Sequence, residues 1–384
     1  MILTIVVFFL VLGLLVLVHE AGHFFVARRF GVRVDEFGLG IPPRIIGFYK
    51  NEAGKWKAVG PKVKQTNSTI WSLNWIPLGG FVKIKGEEGE AAGEPDSFGF
   101  QKVWKRISII ASGVTMNILL AMILLTIGLM IGVPQYVDQS DLPRFAHINS
   151  QKVIIADVFA EPAKSADIKI GDAIISIDGT SLASIKELQD YFSQRVGLTS
   201  ILSIDRDGQT IQQEITPQIL VETEKSGIGV GLVETAILSY PWYVAWWYGI
   251  IGVLQMMWGV ILGFFLIIKS LILSGKMIGE VYGPIGIASL TGQAARLGFN
   301  YLLQFTATLS VIIAVINFLP IPALDGGRIV FLLIEGWRGK PVNQKVENLI
   351  HNAGFLLLMI LMLAVTFRDI IRFSGLFDRI AALF

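Results

Sequence analysis

The stretch MILTIVVFFLVLGLLVLVHEAGH (residues 1–23) joins a long apolar run to three ionisable side chains. The run up to Val18 carries no charge, and a helix needs about 20 apolar residues to cross a bilayer. No Lys or Arg precedes the run and no small-x-small cleavage site follows it, which argues against a secretory signal. The sequence therefore predicts a retained transmembrane helix that ends in a His-Glu-x-x-His pattern.

His19, Glu20 and His23 form this pattern. Residues four apart share one helix face, so both imidazoles can bind one metal ion. Zinc lowers the pKa of water to about 7, and a neighbouring carboxylate such as Glu20 can take the proton. The pattern also arises by chance in soluble helices, but ionisable groups at membrane depth are costly and are usually functional. We therefore predict a metal site with Glu20 as general base.

The composition fits a membrane protein with soluble parts. Of the 384 residues, 53% are hydrophobic, whereas soluble domains are usually about 45–50% apolar. The net charge of +2 gives no indication of nucleic-acid binding. The absence of cysteine excludes disulfides and every zinc site with a thiolate ligand. A metal site must therefore use His, Asp or Glu, and the chain has only four histidines.

A catalytic zinc site needs a third protein ligand, and Asp325 is the best candidate. It follows an apolar run in NFLPIPALDGG (317–327), where two prolines break the helix. Broken backbone at membrane depth is tolerated only where protein or a watery cavity surrounds it. The alternative is that Asp325 caps the next helix. His147 and His351 are weaker candidates. His147 lies in the region 135–240, which is predicted below to be outside the membrane, and His351 follows a turn that is predicted to be cytoplasmic.

Further apolar runs predict additional membrane segments. These runs lie at 107–131, 243–273, 301–319 and 353–367. Residues 24–106 are rich in Lys and Arg, whereas residues 135–240 lean acidic. By the positive-inside rule, 24–106 is cytoplasmic, and 135–240 and the N-terminus lie outside.

The metal site itself constrains the topology, because His19 and Asp325 must lie at the same depth. A single crossing by 243–273 would put Asp325 on the opposite face from His19. The Trp- and Tyr-rich start of this run suits the headgroup level. We therefore predict four true spans, with 243–273 lying along the interface or doubling back.

The two main motifs, HEAGH (19–23) and NFLPIPALDGG (317–327), resemble those of the site-2 protease family of intramembrane metalloproteases. More narrowly, the chain resembles the bacterial regulators of intramembrane proteolysis, of the type that acts on sigma-E signalling, that carry an extracytoplasmic PDZ domain. Supporting matches are PLGGFVKIKGE (77–87), SGVTMN (112–117) and GPIGIA (283–288). The resemblance covers nearly the whole chain.

This resemblance implies a set of site residues. His19, His23 and Asp325 are expected to bind Zn²⁺, with Glu20 as general base, and Asn317 is expected to contact substrate or intermediate. An extended substrate needs backbone partners, and a sheet edge at the membrane surface can supply them. The expected substrate-binding edge comprises Gly80, Phe81 and Val82.

Two motifs leave alternatives open. Gly113 and Asn117 of SGVTMN share one helix face, so they serve either helix packing or the shape of the active-site cavity. The sequence VFAEPAKSADIKIGDAIISIDG, within 150–235, matches the strand, turn and G-D-x-I-x-x-I-D-G pattern of PDZ domains. That domain either filters substrates by size or captures them directly.

The predicted fold is a polytopic α-helical membrane protein with a membrane-associated cytoplasmic β-hairpin or sheet and an inserted α/β PDZ-like domain. The expected parts are a first transmembrane helix with HExxH (1–23), a cytoplasmic β-rich region (24–106), a second transmembrane helix (107–134), an extracytoplasmic PDZ domain (150–235), a membrane-associated or interfacial helical segment (240–300), a third transmembrane segment (301–335), and a fourth transmembrane helix with a tail (348–384).

The expected activity is zinc-dependent cleavage within transmembrane segments of single-span membrane proteins. The resemblance implies substrates similar to anti-sigma factors, as well as remnant signal peptides. The expected location is the inner (cytoplasmic) bacterial membrane, with the active site near its cytoplasmic side and no nucleic-acid partner. Two alternatives remain: a metal or ion transporter that uses the same His/Asp site, and an inactive membrane scaffold that presents the PDZ-like domain.

Overall fold

The chain divides into two compact units. The first unit comprises Met1–Leu125 and Tyr248–Phe384, and the second comprises Thr126–Trp247. The computed structural model describes residues 2–63, 66–87, 89, 93–136, 145–182, 184–206, 209–220, 226–275 and 281–373.

The helices of the described residues are α1 (Ile2–Arg29), α2 (Val103–Ile131), α3 (Ile185–Ser193), α4 (Trp242–Ser274), α5 (Pro284–Leu297), α6 (Phe299–Phe318), α7 (Asp325–Arg338) and α8 (Gln344–Phe373). Five of them, α1, α2, α4, α6 and α8, are long and apolar enough to cross a membrane. Helix α1 continues beyond the predicted end at residue 23, so His19 and His23 lie within the helix rather than at its end.

Helix α4 bears on the interpretation of the run 243–273. It is continuous over 33 residues, and very little of it is buried in the protein. The chain therefore does not reverse direction within 243–273, so that form of doubling back is wrong. Whether α4 lies along the interface depends on its surroundings and stays a prediction.

The strands are β1 (Val34–Lys50), β2 (Trp56–Val59), β3 (Ile70–Ile84), β4 (Val133–Tyr136), β5 (His147–Val158), β6 (Ala173–Ile177), β7 (Ser200–Arg206), β8 (Gln209–Ile215), β9 (Gln218–Ile219), β10 (Ser226–Gly227) and β11 (Val230–Ser239). In the first unit, β2, β1 and β3 form a sheet in that order.

In the sequence, two short β-rich pieces flank Pro77, Gly79 and Gly80, and the hairpin that this pattern predicts is wrong in its pairing. The two halves of β3 pair with β1 and not with each other: residues 80–84 lie beside 34–39, and Trp71–Leu73 matches Ile46–Phe48. The error is physical, because the local alternation of residues predicts a strand but cannot identify its partner. β-rich structure between residues 24 and 106, in contrast, is confirmed.

A buried core joins this sheet to three helices of the first unit. Phe24 and Ala27 of α1 pack with Ile109 of α2, Ile329 of α7 and Val34 of the sheet. These elements meet at the end of α1 that carries His19 and His23, and the core therefore fixes the helices around the histidines.

The second unit contains a six-stranded sheet with the order β4-β11-β5-β6-β7-β8. Helix α3 covers one side of its core with Leu188 and Phe192. Ser184 is the N-cap of α3, because its side chain accepts a hydrogen bond from Glu187 N. The α/β structure expected of residues 150–235 is thereby confirmed, and β7 pairs with β8.

Candidate metal centre

Three potential metal ligands meet in the first unit. His19 Nε2 lies 3.2 Å from His23 Nε2 and 3.1 Å from Asp325 Oδ2, and His23 Nε2 lies 3.5 Å from the same oxygen. Tetrahedral zinc with bonds of about 2.0–2.1 Å separates its ligand atoms by about 3.3 Å. The three distances thus fit one small cation. Among the described residues, these are the only three that could hold a metal ion together.

The histidines owe their orientation to helix geometry and to one backbone contact. His19 and His23 are four residues apart on α1, so their side chains share a face. His23 Nδ1 lies 2.9 Å from Ile109 O of α2. A carbonyl oxygen only accepts, so Nδ1 donates to it, and the lone pair of Nε2 then points toward the other ligands.

Asp325 is the first residue of α7 but does not cap it. Leu324 occupies the N-cap position, and no side chain makes a capping bond there. The alternative of Asp325 as an N-cap is therefore wrong. The fold-back that presents Asp325 is tight: a Cβ at Gly326 would collide with Leu319 O, and one at Gly327 with Ile321 O. The Gly-Gly pair permits the chain to turn from α6 into α7.

Helices α1 and α2 approach closely beside the histidines. A Cβ at Gly22 would collide with Ser112 O, and a Cβ at Gly113 would collide with His23 Nε2 and lie 2.8 Å from His19 Cε1. Gly113 therefore leaves the space that the two imidazoles occupy. The two roles considered for the SGVTMN motif, helix packing and the shape of the cavity, are therefore not exclusive, because the close packing of the helices also shapes the metal site.

Asn117 contacts His19 across the helix interface, a contact that the sequence did not identify. It is fully buried, and its side-chain nitrogen lies 3.4 Å from His19 Nδ1. A metal-binding Nε2 leaves the proton of neutral His19 on Nδ1, which then needs an acceptor. Rotating the amide by half a turn offers Oδ1, which otherwise lies buried without a hydrogen bond. Asn117 is thus suited to orient His19.

A polar cavity of about 820 Å³ opens at these ligands. Half-buried Glu20 lines it beside His19 and His23. Arg328 also lines it and forms an ion pair with Glu87. The Arg328 guanidinium thus lies between the carboxylates of Glu87 and Asp325. The cavity therefore combines a carboxylate near the ligands with a fixed cation next to Asp325.

The remaining predicted site residues divide into two groups. Phe81 and Val82 of β3 line the cavity, and a Cβ at Gly80 would lie 3.7 Å from Glu20 Cγ. Asn317, in the last turn of α6, is half-buried and is not among the residues that line the cavity. His351 is outside the ligand group, and its Nδ1 accepts a hydrogen bond from Ala323 N.

Two further contacts of the site could not be predicted from the sequence: the Ile109 carbonyl with His23, and the Glu87–Arg328 ion pair. The carbonyl has no residue-type signal, because any residue supplies one. Glu87 and Arg328 are 241 positions apart, so no local pattern links them.

The arrangement defines a metal-dependent hydrolase of the HExxH class, built on a membrane-length helix. The sequence model of Peptidase family M50 matches residues 7–361. A protein named "Putative zinc metalloprotease Atu1380", from Agrobacterium fabrum, is 30% identical over 97% of this chain and 96% of its own length. The regulator of sigma-W protease RasP from Bacillus subtilis is 28% identical over 96% of this chain and 98% of its own length.

The chain belongs to peptidase family M50, the zinc metalloproteases of the site-2 type. Among solved structures, the PDZ domain of an SdrC-like protein from Listeria monocytogenes is similar to 21% of this chain and 85% of its own length. The identity there is 26% and the TM-score is 0.20.

Replacement of Gly113 by alanine tests the helix contact. We expect Gly113→Ala to lower bound zinc in the purified full-length protein from about one per chain to a small fraction, because the new methyl group occupies the space of the His19 and His23 rings. Gly13→Ala is the matched control, since no atom lies within 4 Å of its Cβ position on α1. Equal zinc content of the two variants, measured by elemental analysis, would contradict the packing argument.

Proposed function

We propose that this protease cleaves peptide bonds within transmembrane segments of single-span membrane proteins, with zinc bound by His19, His23 and Asp325. The observation that carries the proposal is that Asp325 meets His19 and His23, which lie on a helix of membrane-spanning length and composition. Ionisable groups at such depth are costly unless they serve a function. The peptidase family indicates the reaction class. The position of the ligands on a membrane-length helix indicates substrates that lie in the membrane.

In this proposal, Glu20 transfers the protons. When bound, zinc acts as a Lewis acid that polarises the scissile carbonyl and acidifies water. The Glu20 carboxylate accepts the proton of the attacking water and then gives it to the leaving amine nitrogen. His23 is held by Ile109 O and His19 by Asn117, so neither imidazole needs to reorient during the reaction.

The substrate is proposed to bind as an extended strand along residues 80–84 of β3. These residues pair with 34–39 of β1 on one side, and no described strand pairs with their other edge. Gly80 and Val82 lie beside Glu20 and the cavity. A helical substrate must unwind before cleavage, and the free edge offers hydrogen bonds to its unwound backbone.

Exposed apolar side chains support a membrane location for this sheet. The exposed residues include Leu39, Ile41, Ile45, Ile46, Phe48, Leu73, Trp75 and Ile76 of β1 and β3. Many exposed large apolar side chains in one sheet are typical of a membrane or protein contact. We propose that this sheet lies against the bilayer on the cytoplasmic side.

Contacts at the far end of the first unit support the four-span topology. A Cβ at Gly292 of α5 would collide with Thr4, which precedes His19 on α1 by about 22 Å of helix. Gly286 N donates to Asp369 Oδ2 near the end of α8 at 2.7 Å. If His19 lies near the cytoplasmic side, α5 lies near the outer side.

The connection that follows α4 is too short to cross the membrane back to the outer side in this topology. Val281 O accepts a hydrogen bond from Arg368 on α8, so Val281 is also at the outer end. The six residue steps from Gly275 to Val281 reach about 22 Å at most, less than the bilayer core of about 30 Å. We therefore propose that α4 lies tilted in the outer half of the membrane.

RasP is named as a regulator of sigma-W protease, and we propose substrates similar to anti-sigma factors, and remnant signal peptides, for this chain. Residues 150–235 are proposed to form an extracytoplasmic PDZ domain, either as a size filter or as a receptor. The protein is proposed to reside in the inner bacterial membrane.

Single cysteines test the topology, since the chain has no native cysteine. We expect a membrane-impermeant maleimide to label Leu297→Cys from outside intact cells, and Lys340→Cys only after permeabilisation. Leu297 ends α5 and is well exposed, and Lys340 follows α7. Labelling of both cysteines from the same side would contradict four spans.

Two substitutions separate catalysis from metal binding. We expect Glu20→Gln to retain zinc while cleavage of a single-span substrate in detergent slows by about 10²–10⁴-fold, because a general base is lost. Asp325→Ala should lose zinc. Glu94→Gln, which changes an exposed carboxylate of the same cavity, is the control and should cleave normally. Wild-type cleavage by Glu20→Gln would contradict its proposed role as general base.

Proline substitution tests the substrate edge. We expect Val82→Pro to abolish cleavage with zinc retained, because it distorts the strand and weakens its edge. Lys57→Pro is the control, since β2 lies at the opposite edge of the same sheet. Normal cleavage by Val82→Pro would contradict the proposal that the substrate pairs with this edge.

A further inference from the structure

The turn that presents Asp325 contains an unusual backbone conformation. Ala323 has a φ of +74°, in the left-handed region that residues with a side chain rarely adopt. It lies two residues before Asp325, so its φ directs the chain toward the metal ligands. Alanine has no side-chain polar group that would hold this conformation locally. The turn closes with a hydrogen bond from Leu324 N to Ile321 O, which leaves the N–H of Ala323 to be satisfied from outside the turn.

His351 of α8 satisfies this N–H. Its Nδ1 accepts a hydrogen bond of 2.9 Å from Ala323 N. The ring also packs against Phe331 of α7, with centroids 5.5 Å apart. Since Nδ1 accepts, the neutral ring carries its proton on Nε2, and Nδ1 is not available to a metal ion.

A second contact joins the same face of α8 to the turn. Gly354 lies three residues after His351, and a Cβ there would lie 2.8 Å from Pro322 O. The helix thus approaches Pro322 closely while His351 holds the next residue. Neither contact reaches His19 or His23, so both act on the metal site only through the turn.

We propose that His351 is a positioning residue of the metal centre. By holding Ala323 N, it fixes the left-handed turn and thereby directs the Asp325 carboxylate toward His19 and His23. This inference rests on the proposed role of Asp325 as a ligand. It assigns to His351 neither metal binding nor proton transfer.

The test compares loss of the acceptor with its replacement. His351→Leu removes the acceptor at similar size, whereas the amide oxygen of His351→Asn can accept in place of Nδ1. Metal affinity of the full-length protein in detergent is measured by chelator competition. We expect His351→Leu to weaken zinc binding by about 10–100-fold, as for other residues that orient a ligand, and His351→Asn to remain within a few-fold of the wild type.

A compensating variant separates positioning from general stability. Glycine adopts positive φ without the steric cost of a side chain, so Ala323→Gly should restore much of the affinity in the His351→Leu background. Cobalt(II) in place of zinc gives an independent signal, because the intensity of its visible absorption reports tetrahedral geometry. We expect the spectrum to weaken in His351→Leu and to recover in the double variant.

The outcomes are distinct. Wild-type affinity in His351→Leu, together with zinc loss in Asp325→Ala, would overturn the role of His351 alone. Reduced affinity that neither His351→Asn nor the double variant restores would also overturn it, because the loss would then not depend on the acceptor or the turn. Zinc retained by Asp325→Ala would overturn the proposed ligand set and the inference together.

Discussion

The close approach of α1 and α2 is the constraint on which the metal site depends. Gly22 lies against Ser112, and Gly113 lies against the rings of His19 and His23. At this separation the Ile109 carbonyl reaches His23, and Asn117 reaches His19. A wider spacing would lose both contacts, so the small residues set the orientation of the ligands as well as the packing of the helices.

The second half of the site depends on irregular backbone. The chain leaves α6 at Phe318, turns through two prolines, and begins α7 at Asp325. Such backbone is tolerated at membrane depth only where its polar groups are satisfied by protein or water. Here Ile321 N bonds to Leu319 O, Leu324 N to Ile321 O, and Ala323 N to His351. Three backbone N–H groups of the turn are therefore satisfied although the turn belongs to no helix.

The sequence predicted the parts of the site that follow from local geometry. The HExxH spacing requires only a helix to bring His19 and His23 together, and the broken helix at 317–327 indicated Asp325. Local patterns failed where the partner is distant. The pairing of β3 with β1 depends on long-range register, and the hydrogen bond from Ala323 to His351 depends on a φ value that alanine does not encode.

The apolar runs illustrate the same limit. They predicted the long helices well, because length and hydropathy are local properties. They could not indicate how α4 lies relative to the membrane. The proposed position depends on where the chain next contacts α8. That information resides in the contacts of Val281 and Gly286, beyond the run itself.

The three supports of the ligand set differ in how sequence drift affects them. His23 is held by a main-chain oxygen, and every amino acid at position 109 carries that oxygen. His19 and the Asp325 turn are held by the side chains of Asn117 and His351, which one codon change can remove. Mutation therefore cannot easily remove the support of His23, whereas it can remove those of His19 and of the Asp325 turn. Each of the three supports is one hydrogen bond.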